Sequence, residues 1–365
     1  MRRTPLFVIL FGLLLNTVSG QTLTAIAELS GEIEETSGLL YIDGRLITHN
    51  DSGGSNKLYE TNVSDGSVVD DVFILDASAT DWEDICADEE HIFIGDFGNN
   101  DGTRTNLEIY KIRIDDFLDG NGNATATELD FFYGDQTNFT SQLFQTNFDA
   151  ETLVAYEDHL LIFTKDWGDG NTRIYAVSKV DQGNQELNPL ASLPVEGLIT
   201  GGVYDAANQR IVLVGYQNFL PFIIQIEVDG TLDFSTFSWS KDNLDTRGGS
   251  TQIEGVSLAP NGGYYLSGER TAISEPTLYL FSSEPTGTST TGGDAIPKLF
   301  PNPATSELNI EAVDYVRAEL YDVNGKKVRA TANRKIEVAD LARGTYTVMV
   351  YSASGKTFTS NVVLQ

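Results

Sequence analysis

Residues 81–96 read Asp81-Trp82-Glu83-Asp84-Ile85-Cys86-Ala87-Asp88-Glu89-Glu90-His91-Ile92-Phe93-Ile94-Gly95-Asp96. Two short β-rich runs flank an acidic turn, and the second run ends in Gly-Asp, which opens a polar loop. A further strand, marked by Ile109-Tyr110, follows that loop. The same order recurs along the chain. The anchors Ser37-Gly38-Leu39, Glu151-Thr152-Leu153, Gly201-Gly202-Val203 and Glu254-Gly255-Val256 align with Glu83-Asp84-Ile85. Each precedes a turn and an apolar strand, then a polar loop headed by Asn50, Asp96, Asp166, Tyr216 or Glu269.

A unit of roughly 45–50 residues with four strands is a propeller blade, and its uncovered apolar faces oblige neighbours to stack into a closed ring. The expected fold is therefore all-β: a β-propeller of five blades over residues 21–281. Six blades is the alternative, since a degenerate blade would fit the long interval between positions 83 and 151. Residues 23–29 (Leu-Thr-Ala-Ile-Ala-Glu-Leu) are expected to close the ring as the outer strand of the last blade.

Outside the repeat, residues 1–20 read as a signal peptide: Arg2 and Arg3, a short apolar core, then Val18-Ser19-Gly20 as the cleavage site. The apolar run is too short to span a bilayer, which takes roughly 20 residues. No later stretch reaches that length, so a soluble monomer without a transmembrane segment is expected. Residues 282–294, rich in Gly, Ser and Thr, read as a linker to a second domain at 295–365. That segment carries Asn324-Gly325 and Ser354-Gly355 as hairpin turns and is expected to be a small β-sandwich. The one cysteine, Cys86, excludes an internal disulfide and reads as a small buried hydrophobe.

The net charge is −30, yet residues 298–365 hold nine Lys and Arg against seven Asp and Glu. The acidity therefore belongs to the propeller, which repels nucleic acid phosphates and favours cations or basic partners. In a four-stranded blade the anchors and the polar loops open onto one face near the axis. That topology gathers Asn50, Asp51, Glu83, Asp84, Asp96, Glu151, Asp166, Trp167, Glu254 and Glu269 as candidate ligand-binding residues. Among them Asp96, Asp166, Glu83 and Glu151 are candidate metal ligands, and hard oxygen donors suit Ca²⁺ or Mg²⁺. The competing reading is that these carboxylates cap turns within the blade loops. His49 is the one histidine expected on this face, and so the candidate proton carrier. There is no Gly-x-Ser-x-Gly, phosphate-binding glycine loop, His-Glu-x-x-His or cysteine pair.

The tail carries Leu299-Phe300-Pro301-Asn302-Pro303-Ala304, Leu320-Tyr321-Asp322-Val323-Asn324-Gly325-Lys326 and Leu341-Ala342-Arg343-Gly344-Thr345-Tyr346. With these it resembles the type A sorting domain of the type IX secretion system. The resemblance implies handling by that machinery in Bacteroidetes-type bacteria, and release or attachment at the outer-membrane surface. The larger part is similar to a group of secreted bacterial propellers sharing His49-Asn50-Asp51-Ser52-Gly53-Gly54, Asp81-Trp82-Glu83-Asp84-Ile85 and Gly95-Asp96-Phe97-Gly98-Asn99. The expectation is an extracellular propeller that binds a cation, glycan or basic partner on its acidic face. The alternative is a metal-dependent hydrolase, lactonase-like or phytase-like, using the same funnel with His49 as proton carrier.

Overall fold

The computed structural model describes residues 22–51, 54–180, 183–235, 237–244, 251–260, 262–272, 274–282, 298–312, 315–321, 326–352 and 357–365. The expected signal peptide, most of the linker and both tail hairpin turns lie outside these residues. The chain forms two compact units, Met1–Thr286 and Gly287–Gln365. The first is a propeller of five blades among the described residues.

Each blade is a meander of four antiparallel strands. Blade 1 runs through Thr36–Ile42, Arg45–Asn50, Lys57–Thr61 and Val68–Leu75. Blade 2 comprises Trp82–Ala87, His91–Asp96, Leu107–Arg113 and Asn123–Tyr133. Blade 3 takes Ala150–Tyr156, His159–Thr164, Thr172–Ser178 and Ala191–Leu193. Blade 4 is Leu198–Asp205, Arg210–Gln217, Leu220–Glu227 and Trp239–Asn243. Blade 5 is Ile253–Leu258, Tyr264–Gly268 and Thr277–Ser282, completed by the N-terminal strand Thr22–Glu28. The ring therefore closes as the sequence suggested, with the two ends of the propeller hydrogen-bonded in one sheet. The long interval after position 83 holds no sixth blade. It is taken up by the short helix Ile114–Leu118, the eleven-residue strand Asn123–Tyr133 and the connection over residues 134–149.

The strand patterns follow from position in the ring. Inner strands are covered on both faces, so Trp82–Ala87 is buried along nearly its whole length. The outermost strand Asn123–Tyr133 instead alternates, burying Ala124, Ala126, Leu129, Phe131 and Tyr133. Five apolar layers fill the spaces between successive blades, including the one between blade 5 and blade 1 that contains Leu39, Leu46, Tyr265 and Leu278. Cys86 lies beside Phe93 and Leu153 in the layer between blades 2 and 3, where burial pushes its thiol pKa up. It is packing material.

Five inner strands leave little room at the axis. A Cβ on Gly38, whose φ is +61°, would stand 2.8 Å from the amide nitrogen of Ile85 in the next blade. One on Gly255 would stand 2.9 Å from the carbonyl carbon of Gly38. Asp84, fully buried, bridges the same region: its carboxylate accepts from the amides of Ile85 (2.8 Å), Leu153 (2.9 Å) and Gly202 (3.3 Å). One side chain of blade 2 thereby serves orphan donors of blades 3 and 4.

The second unit is a β-sandwich. Lys298–Phe300, Glu307–Glu311 and Lys335–Glu337 form one sheet. Lys327–Thr331, Tyr315–Tyr321, Gly344–Ser352 and Thr357–Leu364 form the other. Leu308, Ile310, Leu320, Val348, Val350 and Val362 fill its core.

Gly38→Ala adds a methyl where backbone is already in contact, at a left-handed φ. It is expected to destabilise the propeller by about 2 kcal/mol, within the range for a strained backbone position. Urea unfolding followed by tryptophan fluorescence would read the loss; an unchanged midpoint would mean the axis is looser than described.

Candidate functional site

Every inner strand carries a register break at the same level of its blade. The breaks fall between Ser37 and Leu40, Trp82 and Asp84, Ala150 and Thr152, Ile199 and Gly201, and Ile253 and Gly255. The residues skipped in the last four are Glu83, Glu151, Thr200 and Glu254. A β-bulge re-aims one side chain out of the alternating pattern, and here three of the four are glutamates lining one cavity at the mouth of the axis. The structure also corrects the alignment of blade 4 by one residue. Thr200, not Gly201, is equivalent to Glu83, and its hydroxyl donates to the carbonyl of Ile253 in blade 5.

The cavity measures about 330 Å³. Of the residues singled out from sequence, Asp51, Glu83, Glu151, Trp167, Glu254 and Glu269 line it. Its deepest carboxylate is Glu83, 2% exposed, whose Oε1 has no hydrogen-bond partner. Carboxylate oxygens of Asp51, Asp81 and Glu83 lie within 4.8 Å of one another, and those of Glu83, Asp149 and Glu151 do so likewise. Glu83 therefore belongs to two triads. Burial raises its pKa well above the usual value, and the negative neighbours Asp51, Glu151, Asp81 and Asp149 add to that. Burial likewise lifts Asp81 to about 7, with Asp51 contributing.

Asp81 and Asp149 were absent from the sequence-based candidates. Asp149 is held by the amide of Asn99 (2.7 Å) and the indole NH of Trp167 (2.7 Å). Lys165 was missed too. It is the one cation lining the cavity among the described residues, with Nζ 2.6 Å from both carboxylate oxygens of Glu151. Its ammonium lies 5.1 Å from the ring centre of Trp167 and 5.6 Å from that of Tyr216. Burial opposes its charge, but Glu151 and Glu254 outweigh burial and raise its pKa. A lysine directly before Asp166 was visible in the loop Lys165-Asp166-Trp167, but nothing local signals that it turns inward.

Four other candidates are occupied elsewhere. Asp96 is buried against Arg104 (2.8 Å) and accepts from the amides of Thr80 and Asp81, both at 3.1 Å. Asp166 is buried and ion-paired with Arg173. Each staples its own blade loop, so neither reaches the cavity as a metal ligand. Asn50 pins the short 3-10 turn Gly31–Ile33, donating to the carbonyl of Glu32 and accepting from the amide of Glu35. Asp84 is the axial bridge described above. His49 is fully buried, edge-on to Trp82 at 5.7 Å, and burial lowers its pKa to about 4. It is neutral near pH 7 and does not line the funnel.

Gly95-Asp96-Phe97-Gly98-Asn99 is the organiser of this corner. A Cβ at Gly98 would collide with the carboxylates of Glu83 and Asp81. Asn99 orients Asp149, and Asp96 orients the backbone that carries Asp81. These residues position the cavity carboxylates without lining the cavity themselves. The polar sequence Asp119-Gly120-Asn121-Gly122-Asn123 is a plain turn, with Asp119 accepting from the amide and side chain of Asn121.

Aromatic pairs flank the opening. Phe144 packs on Trp167 with ring centres 4.8 Å apart, and Phe219 stacks on Tyr216 at 6.1 Å with an interplanar angle of 5°. Phe144 and Phe219 are each 52% exposed and sit at φ of 53° and 62°. On the blade 5 side, the amide of Gln252 donates to both Glu254 and Glu269. Burial lifts Glu254 to about 7 and, with Glu254 beside it, Glu269 to about 8.

Residues 298–365 match the family described as the secretion system C-terminal sorting domain. A 69-residue stretch covering 18% of this chain is 33% identical to β-agarase D of Zobellia galactanivorans. The chain spans 14% of the length of that relative. Among solved structures, a glucose dehydrogenase of Thermus thermophilus is 8% identical, covering 72% of this chain and all of the other, at a TM-score of 0.42. A soluble aldose sugar dehydrogenase of Escherichia coli is 12% identical, with 73% and 100% covered and a TM-score of 0.41.

The carboxyls of Glu254, Glu269 and Asp81 all titrate higher folded than in an unfolded chain, where Glu and Asp lie near 4.3 and 3.9. Such groups stabilise the fold below the unfolded pKa, and that contribution is lost as pH rises through the folded one. In chelator, the melting temperature should therefore fall by several degrees between pH 5 and pH 8.5. A flat or rising profile over that window would contradict the burial of these acids.

Proposed function

We propose that this is an exported propeller that binds a divalent cation in its acidic funnel and, at the same mouth, an extracellular ligand. The sorting domain at 298–365 supports export to the medium or the cell surface. No helix among the described residues is long and apolar enough to cross a membrane. Processing of residues 1–20, handling of the tail by the type IX machinery, a monomeric state and a partner that is not a nucleic acid complete the proposal.

The observation that carries the cation is Glu83. A buried carboxylate with an unpartnered oxygen, set between two carboxylate triads, is costly to leave ionised and uncompensated. A divalent ion removes that cost. The donors are all hard oxygens from three blades, with Glu83 and Glu151 at strand bulges and Asp81 and Asp149 just before them. That suits the variable coordination of Ca²⁺ better than the strict octahedron of Mg²⁺. Burial of His49 removes the proton carrier that the hydrolase alternative had assigned to it.

Calorimetry of chelator-treated protein should show one Ca²⁺ bound per chain, and Ca²⁺ should raise the melting temperature and flatten its fall above pH 7. Glu83→Gln should weaken binding at least about a hundredfold, the loss of a charged ligand in a low-dielectric site. Gly98→Ala should weaken it as well, by displacing Glu83 and Asp81. If Ca²⁺, Mg²⁺ and Mn²⁺ all leave the wild-type melting temperature unchanged, the funnel holds no divalent ion.

A further inference from the structure

The funnel already contains one ammonium group in a defined box. Lys165 Nζ is flanked by Trp167 and Tyr216 and neutralised by Glu151, with Glu254 nearby. One layer farther out the same arrangement of aromatic walls beside a carboxylate is repeated. Phe144 continues the Trp167 wall and Phe219 continues the Tyr216 wall. Glu269, partly exposed, continues the carboxylate side beside Glu254. All of these residues line the same cavity, into which Glu83 presents its unpartnered oxygen.

Two features of the outer layer are hard to explain by packing. Phe144 and Phe219 stay half exposed, so they contribute little to a core. Phe144 also adopts a left-handed backbone that bulky residues avoid, and strain of that kind persists where the surroundings hold a site in place. Asn218 and Phe219, both left-handed, form the two-residue hairpin turn that carries Phe219 to the rim. The amide of Phe144 is anchored to the carbonyl of Asn100 at 3.0 Å, which fixes that ring over the mouth. Charge narrows the ligand further. Among the described residues, Asp51, Glu83, Glu151, Glu254 and Glu269 line the cavity against Lys165 as the one cation. Glu83, Glu254 and Glu269 are pushed above the ordinary carboxylate range by burial and by neighbouring carboxylates. The site therefore gains from added positive charge and disfavours phosphate, sulfate or uronate groups.

We propose that the outer layer of the funnel receives an alkylammonium group, the side chain of a lysine in an extracellular peptide, between the Phe144 and Phe219 walls and against Glu254 and Glu269. The aliphatic stem lies along the rings, and the ammonium gains cation–π attraction and charge-assisted hydrogen bonds at a partly desolvated site. The inference rests on the reading of the funnel as a binding site and does not require the divalent ion.

The test is calorimetric titration of the full chain, in Ca²⁺ buffer, with acetyl-Gly-Lys-Gly-amide and with its norleucine counterpart, which keeps the stem and lacks the charge. The lysine peptide should bind at least about tenfold more tightly than the norleucine peptide, and more weakly as NaCl rises. Phe219→Ala and Glu269→Gln should each reduce its affinity about tenfold while the Ca²⁺ isotherm stays as in the wild type, which certifies the fold. Equal affinity for the two peptides overturns the proposal. So does the absence of heat with the lysine peptide, or binding of cellobiose in its place. Lysine-peptide binding in a protein that takes up no Ca²⁺ would uphold this inference and refute the cation reading alone.

Discussion

The structure depends on how closely five inner strands approach one axis. At that distance a side chain cannot stand between neighbouring strands, so Gly38 and Gly255 occupy the tightest crossings. The backbone donors exposed there are collected by Asp84, a fully buried carboxylate that ties three blades together. With the axis closed by glycine and one aspartate, the acidic cavity lies at the level just above it, where each inner strand bulges.

The repeated bulge is what converts a propeller into an acidic funnel. In a regular strand Glu83, Glu151 and Glu254 would alternate with their neighbours and face the inter-blade layers, where an uncompensated carboxylate is prohibitively unfavourable. Skipping one residue in each blade turns them to the mouth instead. The result is a set of like charges at close quarters, compensated in part by Lys165 and by proton uptake. That leaves the cavity poised for added positive charge, whether a metal ion among the deeper carboxylates or an ammonium at the rim. Both proposals draw on this one electrostatic deficit, but they use different carboxylates, which allows them to be separated.

Acidic residues of the blade loops divide into those paired within their own loop and those that line the cavity. Asp96 with Arg104 and Asp166 with Arg173 satisfy buried charge within a single loop. They resemble ligands in sequence because an acidic residue at the head of a blade loop looks the same in either role. What separates them is an arginine seven or eight residues later, close enough to fold back; Glu83 and Glu269 have no such partner in their own loops. Lys165 reverses the case: its partner Glu151 precedes it across a hairpin, on the neighbouring strand of the same blade.

The sequence alone determined the all-β propeller class, its closure by residues 23–29 and the separate C-terminal sandwich, while leaving five blades or six open. These follow from repeat length and alternation, which are local properties of the chain. Tertiary structure decided which acids share a space. Asp81 and Asp149 each stand two residues before a bulged glutamate, Glu83 and Glu151, a spacing the chain repeats. Only the meeting of blades 1, 2 and 3 at the mouth brings those two pairs and Asp51 together. His49 and Asp84 lie among the same motifs, yet they are buried in the blades and at the axis. The physical reason is that a one-residue bulge, invisible in the pattern of residues, reverses the direction of a side chain and with it the difference between a strut and a ligand.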